Sequence, residues 1–184
     1  MSDKNNVSGY IDYFRQLAVM HKDIRHDPAS EDGDGDVLAK KFTKFSSDEI
    51  IDGLSRSIGF PALCIELYES TSESQIVYDV CLKPRGSFMV IDKPADKSFS
   101  AEQACYEKTE EIILSLLQRM WQDHYKPGVD RCETPFREID LAKLNIIPVG
   151  PLFSGVFGWR CEFDFEFQKT VDISTAPEEG TFIE

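Results

Sequence analysis

Between Trp159 and Phe167 the chain alternates without exception: Trp159, Cys161, Phe163, Phe165 and Phe167 take every second position, and Arg160, Glu162, Asp164 and Glu166 fill the gaps. Side chains of an extended strand point to its two faces in turn, whereas a helix would scatter those rings around its circumference. The period of two, entered through Gly155 and Gly158, predicts a strand with one aromatic and one charged face.

Upstream, Ile11, Phe14, Leu17, Ala18 and Ile24 lie near helical spacing and predict a first helix from Val7 to about His26. Pro28 to Asp36, rich in Asp and Gly, reads as a loop. Ser46 and Glu49 form a capping box that opens a shorter helix carrying Ile50, Ile51, Leu54 and Ile58, ended by Gly59. A strand is expected over Phe60–Glu69, with Leu63, Ile65 and Leu67 on one face and Pro61 tolerable only at its start. A polar turn at Ser70–Ser74 leads back into Gln75–Lys83, where Ile76, Tyr78, Val80 and Leu82 alternate, so the pair reads as an antiparallel hairpin. Pro84–Ser87 reads as a break, and Phe88–Ile91 as a short third strand. Ser100 with Gln103 caps the longest helix, running to about Tyr125, with Cys105, Ile112, Leu116 and Met120 in line and Ile113, Leu117 and Trp121 beside them. Residues 126–144 read as irregular, Asn145–Val149 as a strand, and residues 171–184 as an extended tail.

The order of helices and closely linked strands predicts an α+β two-layer sandwich: a mostly antiparallel sheet of four to five strands with helices on one face. Residues 1–170 form one domain, with a flexible acidic loop at 28–37. In this picture the longest helix covers the aromatic face of the last strand, and the other sheet face, with Arg160, Glu162, Asp164 and Glu166, meets water or another subunit.

Composition sharpens the function classes. At 184 residues the chain can build a core without metals or disulfides. A formal charge of −13 argues against a surface that grips nucleic acid. The five cysteines, Cys64, Cys81, Cys105, Cys132 and Cys161, are widely spaced without a C-x-x-C pair, which fits small buried thiols in a reducing compartment. Met1–Asn6 lacks the apolar core of a signal peptide and no stretch approaches a membrane span, so the expectation is a protein made and kept in a cytoplasm. Asp32, Asp34 and Asp36 invite a calcium loop, but Val37 stands where the turn needs Gly, and Thr43 where the closing Glu belongs. His21, His26 and His124 lie in different elements, none with a nucleophile at motif spacing. No phosphate-binding, dinucleotide or zinc-protease motif occurs. The expectation is no enzyme, no metal and no cofactor. A cytosolic α+β binding or regulatory domain, or a small acidic-site hydrolase, are the rival classes.

Gly59-Phe60-Pro61-Ala62-Leu63-Cys64-Ile65-Glu66-Leu67, the hairpin to Val77–Leu82, the long amphipathic helix and the closing Gly158-Trp159-Arg160-Cys161-Glu162-Phe163 together resemble the tail terminator and tail-completion proteins of long-tailed bacteriophages. The likeness covers about Ile11 to Phe167 in element order; the loop at 31–36, the segment 84–98 and the connection 126–144 depart from it. The resemblance implies a virion subunit assembled in the host cytoplasm: a homo-oligomeric ring, usually a hexamer, that caps the tail tube and meets the neck connector. It implies no membrane and no specific hold on the DNA passing through. On that footing Phe88, Phe153, Phe157, Phe182 and Ile183 are the expected interface residues, and Glu162, Asp164 and Glu166 an acidic channel lining that repels phosphates.

Overall fold

The computed structural model describes residues 7–31, 36–45, 58–76, 79–125, 136–152 and 155–167. Residues 46–57, which hold most of the expected second helix, lie outside the described residues, as do Asp32, Asp34, Cys132 and the segment 168–184. The elements are α1 (Val7–Met20), β1 (Phe42–Lys44), β2 (Ala62–Ile76), β3 (Asp79–Asp92), α2 (Phe99–Tyr125), β4 (Phe136–Leu152) and β5 (Val156–Phe167). The strands form one sheet in the order β1-β2-β3-β5-β4. All neighbours are antiparallel except β1 and β2. With both helices against one face, this is the expected α+β sandwich.

The strands are longer than their hydrophobic pattern indicates, and the prolines explain why. β2 and β3 continue to pair through Ser70↔Pro84, Thr71↔Lys83, Ser72↔Leu82 and Glu73↔Cys81, so the hairpin turns between Ile76 and Asp79 rather than at Ser70–Ser74. Pro84–Ser87 is strand interior, and Phe88–Ile91 belongs to the same strand. Pro84 breaks nothing because β5 pairs with β3 only from Arg85 to Asp92, leaving no ladder on that side for a proline to interrupt. Likewise β4 begins at Phe136, inside the stretch expected to be irregular, and carries Pro148 and Pro151 as an edge strand with three register shifts. Edge position and bulges are the conditions under which a strand accepts proline.

One bulge reassigns a face. Glu66 pairs with Ser87 and Glu69 with Arg85, so Leu67 and Tyr68 together oppose Gly86. Leu67, expected on the core face with Leu63 and Ile65, is 53% exposed. Tyr68 takes the inward place instead, its ring 5.5 Å from Tyr10 and 5.7 Å from Phe165. A Cβ on Gly86 would lie 2.7 Å from the Phe163 ring and 2.8 Å from the Tyr10 hydroxyl, so the missing side chain makes room for two aromatic ones.

The aromatic face of β5 is buried as expected, but its cover is shared. In α1 the buried Tyr10, Tyr13, Phe14, Leu17 and Ala18 repeat at helical spacing. Tyr10 stacks on Phe165 at 5.7 Å and Phe14 meets Phe163 at 6.0 Å, so the short helix covers this end of the strand. α2 covers the other end, where Tyr106 packs edge-on to Trp159 and its carbonyl accepts the indole N–H at 3.0 Å. Trp121, expected beside the core, is 47% exposed. Ser98, not Ser100, caps α2: its hydroxyl accepts the Ala101 N–H at 3.2 Å. The second sheet face is not wholly polar either. Ala62, Cys64, Met89, Ile91 and Val156 form a smaller apolar cluster there with Phe45 and Ile58, flanked by Phe60, Val149 and Leu152.

α1 stops at Met20 rather than His26, and Arg25 adopts a left-handed φ of 51° as the chain turns. Buried His26 then anchors the turn. Its Nδ1 accepts the Lys41 N–H at 3.2 Å, so Nε2 carries the proton donated to Glu31 at 2.7 Å. Arg15 donates to the same carboxylate at 2.8 Å. Burial, the largest influence on Glu31, pushes its pKa up; hydrogen bonds from Arg15 and His26 outweigh it, and the net shift is downward. A depressed folded pKa stabilises the fold above the unfolded value, and that contribution disappears as pH falls through the folded one. Glu31→Gln should therefore cost about 1 kcal/mol at pH 7, a modest figure because the group is partly exposed to solvent. In urea titrations the gap to the parent should close below about pH 4; a gap that persists at pH 2 would contradict the assignment.

Candidate functional site

The charged face of the sheet is organised in rows set by strand register. Glu66, Ser87, Glu162 and Asn145 lie in consecutive pairing across β2, β3, β5 and β4. Met89 pairs with Arg160 in the row on one side of it and Arg85 with Asp164 in the row on the other. Arg160 therefore sits between two carboxylates, 2.5 Å from Glu66 and 3.4 Å from Glu162. Glu162 also receives Arg85 at 2.8 Å and Asn145 at 3.3 Å, and the Ser87 hydroxyl donates to Glu66. With Phe45, Leu67, Glu69 and Gly86, the residues Glu66, Arg85, Ser87, Arg160 and Glu162 line an open groove of about 480 Å³.

This arrangement changes the expected acidic lining. Glu162 is held by two guanidinium groups and an amide, so its charge is largely answered within the sheet. Asp164 and Glu166 are half-buried on the same face, beside Glu138 and Asp140 of β4; among the described residues Lys143 forms an ion pair with this group, 3.3 Å from Asp140. The acidic character is thus concentrated at the end of the sheet where β5 finishes.

At that end β2 and β3 leave the sheet. From Ser70 and Pro84 outward, among the described residues, the two strands pair only with each other as far as Ile76 and Asp79. At ~3.3 Å per residue this two-stranded ribbon projects by about 20–25 Å. A ribbon of two strands is marginally stable in water by itself and gains from packing on another surface.

The opposite end carries a second concavity of about 710 Å³ between the β3–α2 connection and the β4–β5 connection, lined by Lys93, Pro94, Ala95, Asp96, Lys97, Glu102, Pro151, Gly155 and Phe157. Asp96, exposed to solvent, accepts the Ser98 N–H of its own loop at 2.7 Å. The ammonium of Lys108 is taken by Asp92 at 2.6 Å, whereas no ion pair involves Lys93 or Lys97 among the described residues. Phe99, beside this end, is 82% exposed.

One contact resembles a catalytic pair. His21 Nε2 lies 2.6 Å from Ser115 Oγ, with Asp23 Oδ2 4.0 Å from Nδ1. However, Nδ1 accepts the Asp23 N–H at 3.2 Å, so the proton is on Nε2 and His21 donates to the serine rather than taking its proton. Ser115 in turn donates to the Ile112 carbonyl at 2.8 Å, and burial lowers the His21 pKa, favouring the neutral ring. The pair ties the end of α1 to α2. Cys64 and Cys161 are buried thiols whose pKa burial raises to about 12, which keeps them protonated and unreactive. Among the described residues no His, Cys, Asp and Glu group is placed to hold a metal, and no helix is long and apolar enough to cross a membrane.

Of the residues expected at an interface, Phe88 is fully buried, 5.3 Å from Phe14 and 6.1 Å from Phe163, so its side chain serves the core. Phe157 is mostly buried against Tyr106 at 5.5 Å while lining the end groove. Phe153, Phe182 and Ile183 lie outside the described residues. Arg85, Ser87, Asn145, Lys93 and Lys97 were not marked by the sequence; their grouping depends on strand register and loop packing, which leave no periodic signal. No protein-family model and no curated protein matches this chain.

Proposed function

We propose that the chain is a ring-forming structural subunit of a bacteriophage-type tail, a terminator or completion protein that caps the tail tube and joins it to the neck connector in the virion. The observation that supports this reading is the β2–β3 ribbon, an arm whose strand partners among the described residues lie only within itself. An arm that gains stability by packing on a neighbour suits a cyclic, head-to-tail assembly, in which each copy gives and receives the same contact. The family resemblance supplies the tail, the hexamer and the partners. The carboxylates at the β4–β5 end would face the passing DNA, where like charge prevents adhesion.

Native mass measurement and negative-stain images of the purified protein, alone and with tail tubes, test the reading. Closed rings that seat on tube ends are expected. Replacing residues 71–82 by a two-residue turn should yield a folded monomer that no longer caps tubes. Monomers at all concentrations, with and without tubes, would remove the proposal's support.

The alternative reading, a ligand-binding or regulatory domain, is favoured by the charged groove at Glu66, Arg85, Arg160 and Glu162. A saturable ligand whose binding is lost in Arg160→Gln, in a protein that stays monomeric, would select it.

A further inference from the structure

The groove at the start of α2 carries Lys93 and Lys97, outside any ion pair among the described residues, beside Glu102 and an Asp96 that is engaged by the Ser98 N–H of its own loop, over a floor of Pro94, Ala95, Pro151 and Phe157. Its volume, about 710 Å³, is in the range that accepts a few side chains of an extended peptide. A fitting occupant is an acidic segment with large apolar residues. The chain contains one. Beyond Lys169 the sequence has no Lys or Arg, carries Asp172, Glu178, Glu179 and Glu184, and includes the adjacent Phe182 and Ile183.

Distance bears on which copy supplies it. β5 enters at Val156 beside the groove and leaves at Phe167, about 36 Å away at ~3.3 Å per residue. Fully extended, the chain from Phe167 can place Phe182 up to about 50 Å away. Returning to its own groove would use most of that reach along the length of the molecule, whereas a neighbour packed against the β5 exit offers its groove without the reversal.

We propose that the segment around Phe182 and Ile183 of one copy docks in the groove of a second copy, its carboxylates against Lys93 and Lys97 and its apolar pair over Phe157. The inference rests on the ring reading above and names one contact within it. The contact joins two different surfaces of identical chains, so it propagates head to tail, and in the ring reading the rotation between copies closes the chain of contacts.

Disulfide trapping on full-length protein tests it. Ala95→Cys and Thr181→Cys are introduced into separate preparations, mixed and oxidised. A covalent dimer that needs both substitutions is expected, and its yield should fall about fivefold with Lys93→Glu and Lys97→Glu together, or at high salt. If the doubly substituted chain closes on itself and runs as a monomer while the mixture gives no dimer, the groove is filled in cis and the proposal fails. Absence of any specific cross-link also overturns it. Native mass measurement of the same samples separates the two ideas: rings without the cross-link leave the ring reading standing and remove this contact, while monomers remove both.

Discussion

Phe136→Ala is expected to lower the free energy of unfolding by about 4 kcal/mol, near the upper range for a buried aromatic truncation. Phe136 is 1% exposed at the start of β4. Its ring lies 4.7 Å from Phe165, 5.3 Å from Tyr13, and 6.1 Å from both Tyr10 and Phe163, mostly edge to face. Truncation removes the buried area and several favourable ring pairs and leaves a cavity among them. A domain of this kind is stable by roughly 5–15 kcal/mol in total, so the variant should melt far below the parent. Phe136→Leu, which keeps most of the volume, should cost about 1.5 kcal/mol. Urea unfolding followed by circular dichroism measures both. A loss below about 1 kcal/mol for the alanine variant would mean that the first half of β4 is not docked on the core.

The second large effect is expected at Asp123. This carboxylate is 0% exposed, near the end of α2. It accepts the Tyr13 hydroxyl at 3.1 Å and lies 2.9 Å from Arg119 Nε, off the line of a straight hydrogen bond but well within ion-pair range. Asp123→Ala removes the buried carboxylate that the Tyr13 phenol and the half-buried Arg119 guanidinium meet, and removing one partner of a buried pair costs about 3–5 kcal/mol, with the lower end expected because Arg119 reaches solvent. Asp123→Asn keeps an acceptor for Tyr13 and should cost less. Tyr13→Phe should cost about 1 kcal/mol, and combined with Asp123→Ala the two losses should be clearly less than additive, because they share one interaction. Strict additivity would show that the carboxylate and the phenol act independently.

Asp123 and Phe136 also show where reading the sequence stopped. Asp123 follows Trp121 and Gln122 on a helix whose charged positions otherwise reach water, and the approach of Tyr13 from α1 turns this carboxylate into a core group. Phe136 stands among polar residues with no alternating neighbours, so no local period marks it. In both cases the partner lies more than a hundred residues away or on another strand, and a periodicity carries no information about it.

The same division runs through the candidate assembly surfaces. The alternation from Trp159 to Phe167 determined, from the chain alone, which side of β5 is buried, because a strand with five aromatic or thiol side chains on one side can hide only that side. The spacing along α1 and α2 determined their existence in the same way, and with the strands it determined the α+β class. Strand length, register and order were decided by tertiary structure. Proline and polar residues stop a strand only where a neighbouring ladder needs their N–H groups or a core needs their side chains, and at the outer parts of β2, β3 and β4 neither condition holds. The projecting ribbon, the lysine-lined groove and the pairing of Arg85 and Arg160 with the sheet's carboxylates all follow from that three-dimensional context, which no stretch of the chain carries by itself.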